Sequence, residues 1–186
     1  MNKTIYLVRH GQTRFNLEGR LQGQADSELT PEGLRQTEKL KEMLKEKGLR
    51  FNQAYTSDLG RAVETLKRIT DDSVKKYTVP GLREVSFGDL DGQLKTQFPS
   101  DQDWEEVYAD YHAESFDGAV DRMIEALVSL AINDPDDQIL AVSHSGVIAG
   151  MLEKMGLELT GPIPNGSVWV LELNDQGLRL KDYFCI

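Results

Sequence analysis

The sequence is poor in cysteine: of 186 residues only Cys185, beside the C-terminus, is one. A lone thiol cannot close an internal disulfide, and it fits a reducing compartment. Histidine is almost as scarce, at three. No Cys/His cluster has ligand spacing, so no zinc or other metal and no cofactor is expected. Basic residues are outnumbered, 21 against 31 acidic, for a net charge of −10. Such a surface repels polyphosphate backbones, which argues against nucleic acid and requires any phosphate site to be a local basic pocket. No apolar run nears the roughly 20 residues of a membrane span. Arg9, His10 and Arg14 interrupt the N-terminal apolar stretch, so no signal peptide is expected. Linker-like Gly/Ser or Pro-rich segments and internal repeats are missing too. These absences lead to one expectation: a single domain over residues 1–186, cytoplasmic, with no membrane partner.

Apolar patterning supplies the elements. IYLV (5–8) reads as a short buried strand, followed by a long polar loop over 9–29, a length usually functional. Thr30-Pro31 caps and opens a helix whose apolar face is Leu34, Thr37, Leu40 and Leu44, and which Gly48 ends. FNQAYTS (51–57) is a strand, 58–70 a helix capped by Ser57 or Asp58, and YTVP (77–80) a strand. Trp104, Val107, Tyr108 and Tyr111 make one apolar helix face. A helix carries Val120 to Ala131, QILAVS (138–143) is a strand, and Gly146 to Met155 is a short helix. SVWVLELN and LRLKDYF close the chain as a hairpin turning at Asp175-Gln176-Gly177. Strands alternating with helices predict an α/β three-layer sandwich: a mainly parallel sheet, helices on both faces and an antiparallel edge.

Two strands end alike, in Arg9-His10-Gly11 and in Ser143-His144-Ser145-Gly146. Ligands of open α/β sheets bind beyond the carboxyl ends of strands, which is where both histidines fall. Gly146 opens a helix whose free N–H groups favour an anion, and Gly11 would let a ligand approach the backbone. Arg61 lies in the first turn of its helix, where the dipole disfavours a cation, so an anion is its expected partner. Arg83 and Glu84 reach the same rim if their strand is parallel.

Taken together, these residues resemble the histidine phosphatase superfamily, also called phosphoglycerate mutase-like. RHGQTRFN matches its first signature, and LQGQADSELTPEG, TSDLGRAVET, LREVSFGDLDG and AVSHSG match its later blocks in order. The resemblance implies a phosphohistidine on His10, with His144, Arg9, Arg61 and Asn16 holding the phosphoryl group. Gln22 and Gly23 would lie near the phosphate, and Gly11, Thr13 and Ser145 join that set. Glu84 corresponds to the proton donor. The expected partner is a small-molecule phosphate monoester, and a homodimer stays open.

The residue types suit the chemistry. A phosphoryl group in transfer spreads charge over its oxygens, so positioning and electrostatics dominate, and guanidinium forks match those oxygens. Neighbouring guanidiniums hold His10 neutral and nucleophilic, and its other ring nitrogen should donate to a backbone carbonyl. His144 is expected to be cationic once phosphate is bound. Taken singly, each residue has a plainer reading: a strand-end histidine, a surface helix arginine, a solvated glutamate beside Asp89 and Asp91, and loop caps at Asn16 and Gln22. His112 reads as structural or surface. Residues 85–121 carry Lys95 as their one basic side chain among many carboxylates, and 92–118 reads as a lid-like insertion. An acidic lid disfavours polyanions and favours a phosphatase. The alternatives are a 2,3-bisphosphoglycerate-dependent phosphoglycerate mutase and an inactive phosphate-binding module.

Overall fold

A computed structural model describes residues 2–97 and 109–186. The chain runs β1 (Lys3–Arg9), α1 (Arg14–Glu18), α2 (Pro31–Glu46), β2 (Gln53–Thr56), α3 (Gly60–Ile69) and β3 (Lys75–Thr78). After three short 3₁₀ turns come α4 (Phe116–Asn133), β4 (Gln138–Ser143), α5 (Ser145–Lys154), β5 (Val168–Asn174) and β6 (Gly177–Phe184). One six-stranded sheet has the order β3-β2-β4-β1-β5-β6. The β1/β4, β2/β4 and β2/β3 pairs are parallel, and β5 and β6 complete the sheet antiparallel, as expected.

Strand alternation feeds two cores. Ile5, Leu7, Ile139 and Ala141 face α4 and α5, where Met123, Leu127, Ile148 and Met151 are fully buried. Val8, Leu140 and Val142 face the other way, onto Leu40 and Leu44 of α2 and Leu66 and Ile69 of α3. Central strands buried on both faces read as the near-continuous apolar runs seen in β1 and β4.

Three local readings change. The 9–29 segment is not all loop: Thr13 caps α1, accepting from the Asn16 N–H at 3.2 Å while Asn16 Oδ1 accepts from the Thr13 N–H at 3.1 Å. That reciprocal capping box makes Asn16 a helix-start residue. Neither Ser57 nor Asp58 caps α3; Leu59 stands at the cap without a side-chain bond. Ser57 instead turns to His144, and Asp58 pairs with Arg83 at 2.7 Å. The third strand ends at Thr78, because Pro80 starts a 3₁₀ turn. The helix face of Trp104, Val107 and Tyr108, and the middle of the 92–118 insertion, lie outside the described residues. Of that set Tyr111 is described and is exposed.

Candidate active site

Register builds the site. Arg9 of β1 pairs with Ser143 of β4, so His10 and His144 each follow a paired residue on adjacent parallel strands. Their ring centroids lie 5.2 Å apart. β2 ends one strand further on, and its next residue, Ser57, donates its N–H to the Val142 carbonyl at 3.1 Å. The loop after β2 leads directly into α3 and Arg61. β3 is parallel to β2, and the turn beyond it carries Arg83 and Glu84 to the same end of the sheet.

The protonation pattern can be read from the partners. His10 Nδ1 lies 2.7 Å from the Gly11 carbonyl, which only accepts, so Nδ1 carries the hydrogen. Nε2 is left with a lone pair and accepts from Arg61 Nε at 3.3 Å. The Ser57 hydroxyl accepts from the Leu59 N–H at 3.3 Å and lies 2.6 Å from His144 Nε2. Among the described residues Nε2 is the one acceptor within reach of the Ser57 O–H, so the hydroxyl donates to Nε2 and the imidazole hydrogen of His144 sits on Nδ1. That Nδ1–H and the Arg9 Nε–H are both buried without a partner among the described residues. Buried polar groups are ordinarily paired, and leaving one unpaired costs about 1–3 kcal/mol. Two unpaired donors beside a guanidinium suit an acceptor-only ligand, an anion.

Arg61 is 2% exposed, and beyond Nε it holds the 23–26 loop: NH2 donates to the Gly23 carbonyl at 2.6 Å, NH1 to the Ala25 carbonyl at 2.8 Å and to Asp26 at 3.2 Å, which leaves one NH2 hydrogen over. Arg9 donates to the Ile163 carbonyl, and burial lowers it to about 10 against the opposing Glu84 carboxylate, so it stays charged near neutral pH. Burial first, then Arg61, pushes both His10 and His144 well below the ordinary 6.5. In this arrangement both imidazoles are neutral. In the phosphate-free site His144 is a neutral Nδ1–H donor, because it is fully buried among cations.

Glu84 is nearly buried. Oε2 accepts from the Gly146 N–H at 2.8 Å, and Oε1 from the Val147 and Val85 N–H groups at 3.0 Å each. The anion expected at the N-terminus of α5 is thus the chain's own carboxylate. Asp89 bonds the exposed His112 at 2.9 Å, and half-buried Asp91 accepts from the Gln24 and Phe87 N–H groups at 3.0 Å. Neither competes with Glu84 for the place beside α5.

The remaining sequence candidates form an outer layer. Gln22 Oε1 accepts from Thr13 Oγ1 at 2.8 Å and Asn16 Nδ2 at 3.4 Å. Asn165 links this net to the site, donating to the His10 carbonyl at 2.9 Å and to Asn16 Oδ1 at 3.4 Å. Ser145 stands half-buried at the first position of α5. A Cβ at Gly11 would meet the Gly33 carbonyl oxygen at 2.8 Å, so one close approach this glycine permits is that of the start of α2. Gly23 has φ +50°, and a Cβ would strike Asp91 at 1.7 Å. Sequence reasoning missed Ser57 and Asn165. Ser57 had a usable signal, since it follows β2 as His10 and His144 follow β1 and β4; a loop asparagine such as Asn165 had none.

The buried histidines predict acid sensitivity. In the unfolded chain they take up protons near pH 6.5, whereas in the fold they resist protonation. Between the lowered folded values and 6.5 the unfolded state binds more protons, so stability falls as pH falls through that window. The melting temperature of the phosphate-free protein should drop between pH 7 and pH 5, and the drop should be smaller for His10→Ala. A flat profile would contradict this.

Comparison with known proteins places the site in context. The sequence profile of the histidine phosphatase superfamily (branch 1) matches residues 5–186. A protein named metal-independent phosphoserine phosphatase, from Arabidopsis thaliana, is 34% identical across 92% of this chain and 77% of its own length. A probable phosphoglycerate mutase, GpmB of Serratia proteamaculans, is 34% identical across 80% of this chain and 72% of its own. Among solved structures, Bacillus stearothermophilus YhfR superposes with a TM-score of 0.84 at 26% identity, over 96% of this chain and 95% of that one.

Proposed function

The chain belongs to the histidine phosphatase superfamily, and from that premise we propose that it is a phosphomonoester hydrolase that works through a phosphohistidine on His10. One observation carries the reading: a neutral imidazole, its Nδ1–H fixed on the Gly11 carbonyl, holds its Nε2 lone pair among Arg61, Arg9 and His144. In the first step Nε2 bonds to phosphorus as the ester P–O bond breaks, and the Glu84 carboxylate, having taken the proton of the bound monoanionic ester, gives it to the leaving oxygen. A phosphoryl oxygen takes over the Arg61 Nε–H that Nε2 accepts at 3.3 Å. The free Nδ1–H of His144 and Nε–H of Arg9 pair with the other oxygens. In the second step water attacks phosphorus, Glu84 receives its proton, and His10 is regenerated. Thr13, Asn16, Gln22, Gly23 and Ser145 support the phosphoryl pocket, the first three through their shared hydrogen-bond net.

Arginines on the flanking elements already face carboxylates: Arg14 and Arg20 meet Glu18, Arg83 meets Asp58 and Arg122 meets Glu114. This supports a small monoester with a neutral, cationic or aromatic leaving group over a second phosphate. We read the chain as one catalytic domain, and the lone free thiol, Cys185, suits a cytoplasmic setting. A phosphate-release screen over alkyl and aryl monoesters, phosphopeptides and 3-phosphoglycerate with 2,3-bisphosphoglycerate tests the reading. The enzyme should release phosphate from monoesters at full rate in EDTA. Mutase turnover exceeding phosphate release, or activity that EDTA abolishes and magnesium restores, would overturn it.

A further inference from the structure

Glu84 is held on two sides. Its side chain rests on α5, but its backbone belongs to a segment, 81–86, that no strand pairs. After the 3₁₀ turn Pro80–Leu82 the chain runs extended at Arg83 and leaves a row of carbonyls pointing the same way. One guanidinium collects them. Arg122 of α4 donates through NH1 to the Gly81 carbonyl at 2.8 Å and the Arg83 carbonyl at 3.1 Å. It reaches Pro80 at 3.5 Å, and through NH2 the Glu84 carbonyl at 3.4 Å. Its other edge forks onto Glu114, Nε to Oε1 at 2.9 Å and NH2 to Oε2 at 2.8 Å. Glu114 in turn accepts from the Ser86 N–H at 3.3 Å and gives its own N–H to the Ser86 carbonyl at 2.9 Å. Residues on both sides of Glu84 are thereby tied to α4 through a single side chain. The two side chains are 27% exposed each, and a bidentate Arg–carboxylate pair with this many further acceptors is geometrically specific in a way that a lysine cannot match.

We propose that Arg122 and Glu114 are positioning residues for the proton donor: they fix the backbone of 81–86 so that the Glu84 carboxyl stands where the leaving oxygen departs. The inference rests on the reading of Glu84 as that donor. It has a signature that a merely structural pair would lack. An alkoxide leaving group needs a proton, whereas p-nitrophenolate leaves without one. A misplaced donor therefore slows alkyl esters selectively.

The experiment measures kcat/KM, which reports phosphoenzyme formation, for p-nitrophenyl phosphate and for the fastest alkyl monoester of the screen above. Glu84→Gln should lose about 100-fold or more on the alkyl ester and only a few-fold on p-nitrophenyl phosphate. Arg122→Lys, which keeps the charge and loses the fork, should lose about tenfold on the alkyl ester and less than about twofold on p-nitrophenyl phosphate. Glu114→Gln should shift the same way by less, and it carries the test if Arg122→Lys melts too low to assay. Selectivity in Glu84→Gln with none in folded variants of Arg122 and Glu114 overturns the inference and leaves the donor standing. Equal loss on both substrates in Glu84→Gln removes the donor reading, and the inference falls with it.

Discussion

His10→Ala should abolish turnover, with a loss of about 10⁴-fold or more in kcat, as removal of a nucleophile does elsewhere. Rapid acid-free quenching of wild type with labelled substrate should trap a base-stable, acid-labile phosphoenzyme, and the variant should trap none. The prediction is sharp because the fold does not depend on this side chain. His10 sits 3% exposed beside two guanidiniums, and its one firm bond is to the adjacent carbonyl. Its lowered affinity for protons makes it a burden on stability in acid rather than a support. The variant should therefore fold, melt at a less pH-dependent temperature and be inert. Undiminished label on the variant would exclude His10 as the attacking group.

Arg61→Met should produce the second large loss, about 10²–10³-fold in kcat/KM, the usual effect of removing one donor from a charged transition state. It should also move the acid limb of the pH profile. Attack needs neutral His10, so activity falls as pH drops through the pKa of that imidazole. After burial, Arg61 is the strongest influence lowering it, so loss of the charge raises that pKa and the limb moves to higher pH. Arg61→Lys keeps the charge and should leave the limb nearer its original place. It still loses rate, because one ammonium cannot serve His10, the Gly23 and Ala25 carbonyls and Asp26 together. Amide exchange over 22–26 should quicken in both variants. An unmoved acid limb in Arg61→Met would show that Arg61 does not set the protonation of His10.

Much of this was legible residue by residue. Runs such as ILAV and the capped helix after Thr30-Pro31 follow from burial on two faces and from local capping, and both depend on near neighbours in the chain. The short α1 was missed because its five residues bury none of their side chains, so no apolar period marks it. What marks it is the capping box of Thr13 and Asn16, a polar signal. The space expected for an anion at the α5 N-terminus is filled by the chain itself, by Glu84, and on the Cβ side Gly11 is approached by Gly33. A partner distant in sequence leaves no trace in the local pattern.

By itself the sequence determined the fold class, the two histidines at strand ends and the arginines that accompany them, because strand periodicity and motif order are properties of the chain. Tertiary structure decided the chemistry each group can perform. The in-register ends of β1 and β4 bring the two rings to 5.2 Å. The Gly11 carbonyl and the Ser57 hydroxyl choose their tautomers, and burial beside Arg61 keeps them neutral. These are effects of distance and desolvation, and neither exists until the strands lie side by side.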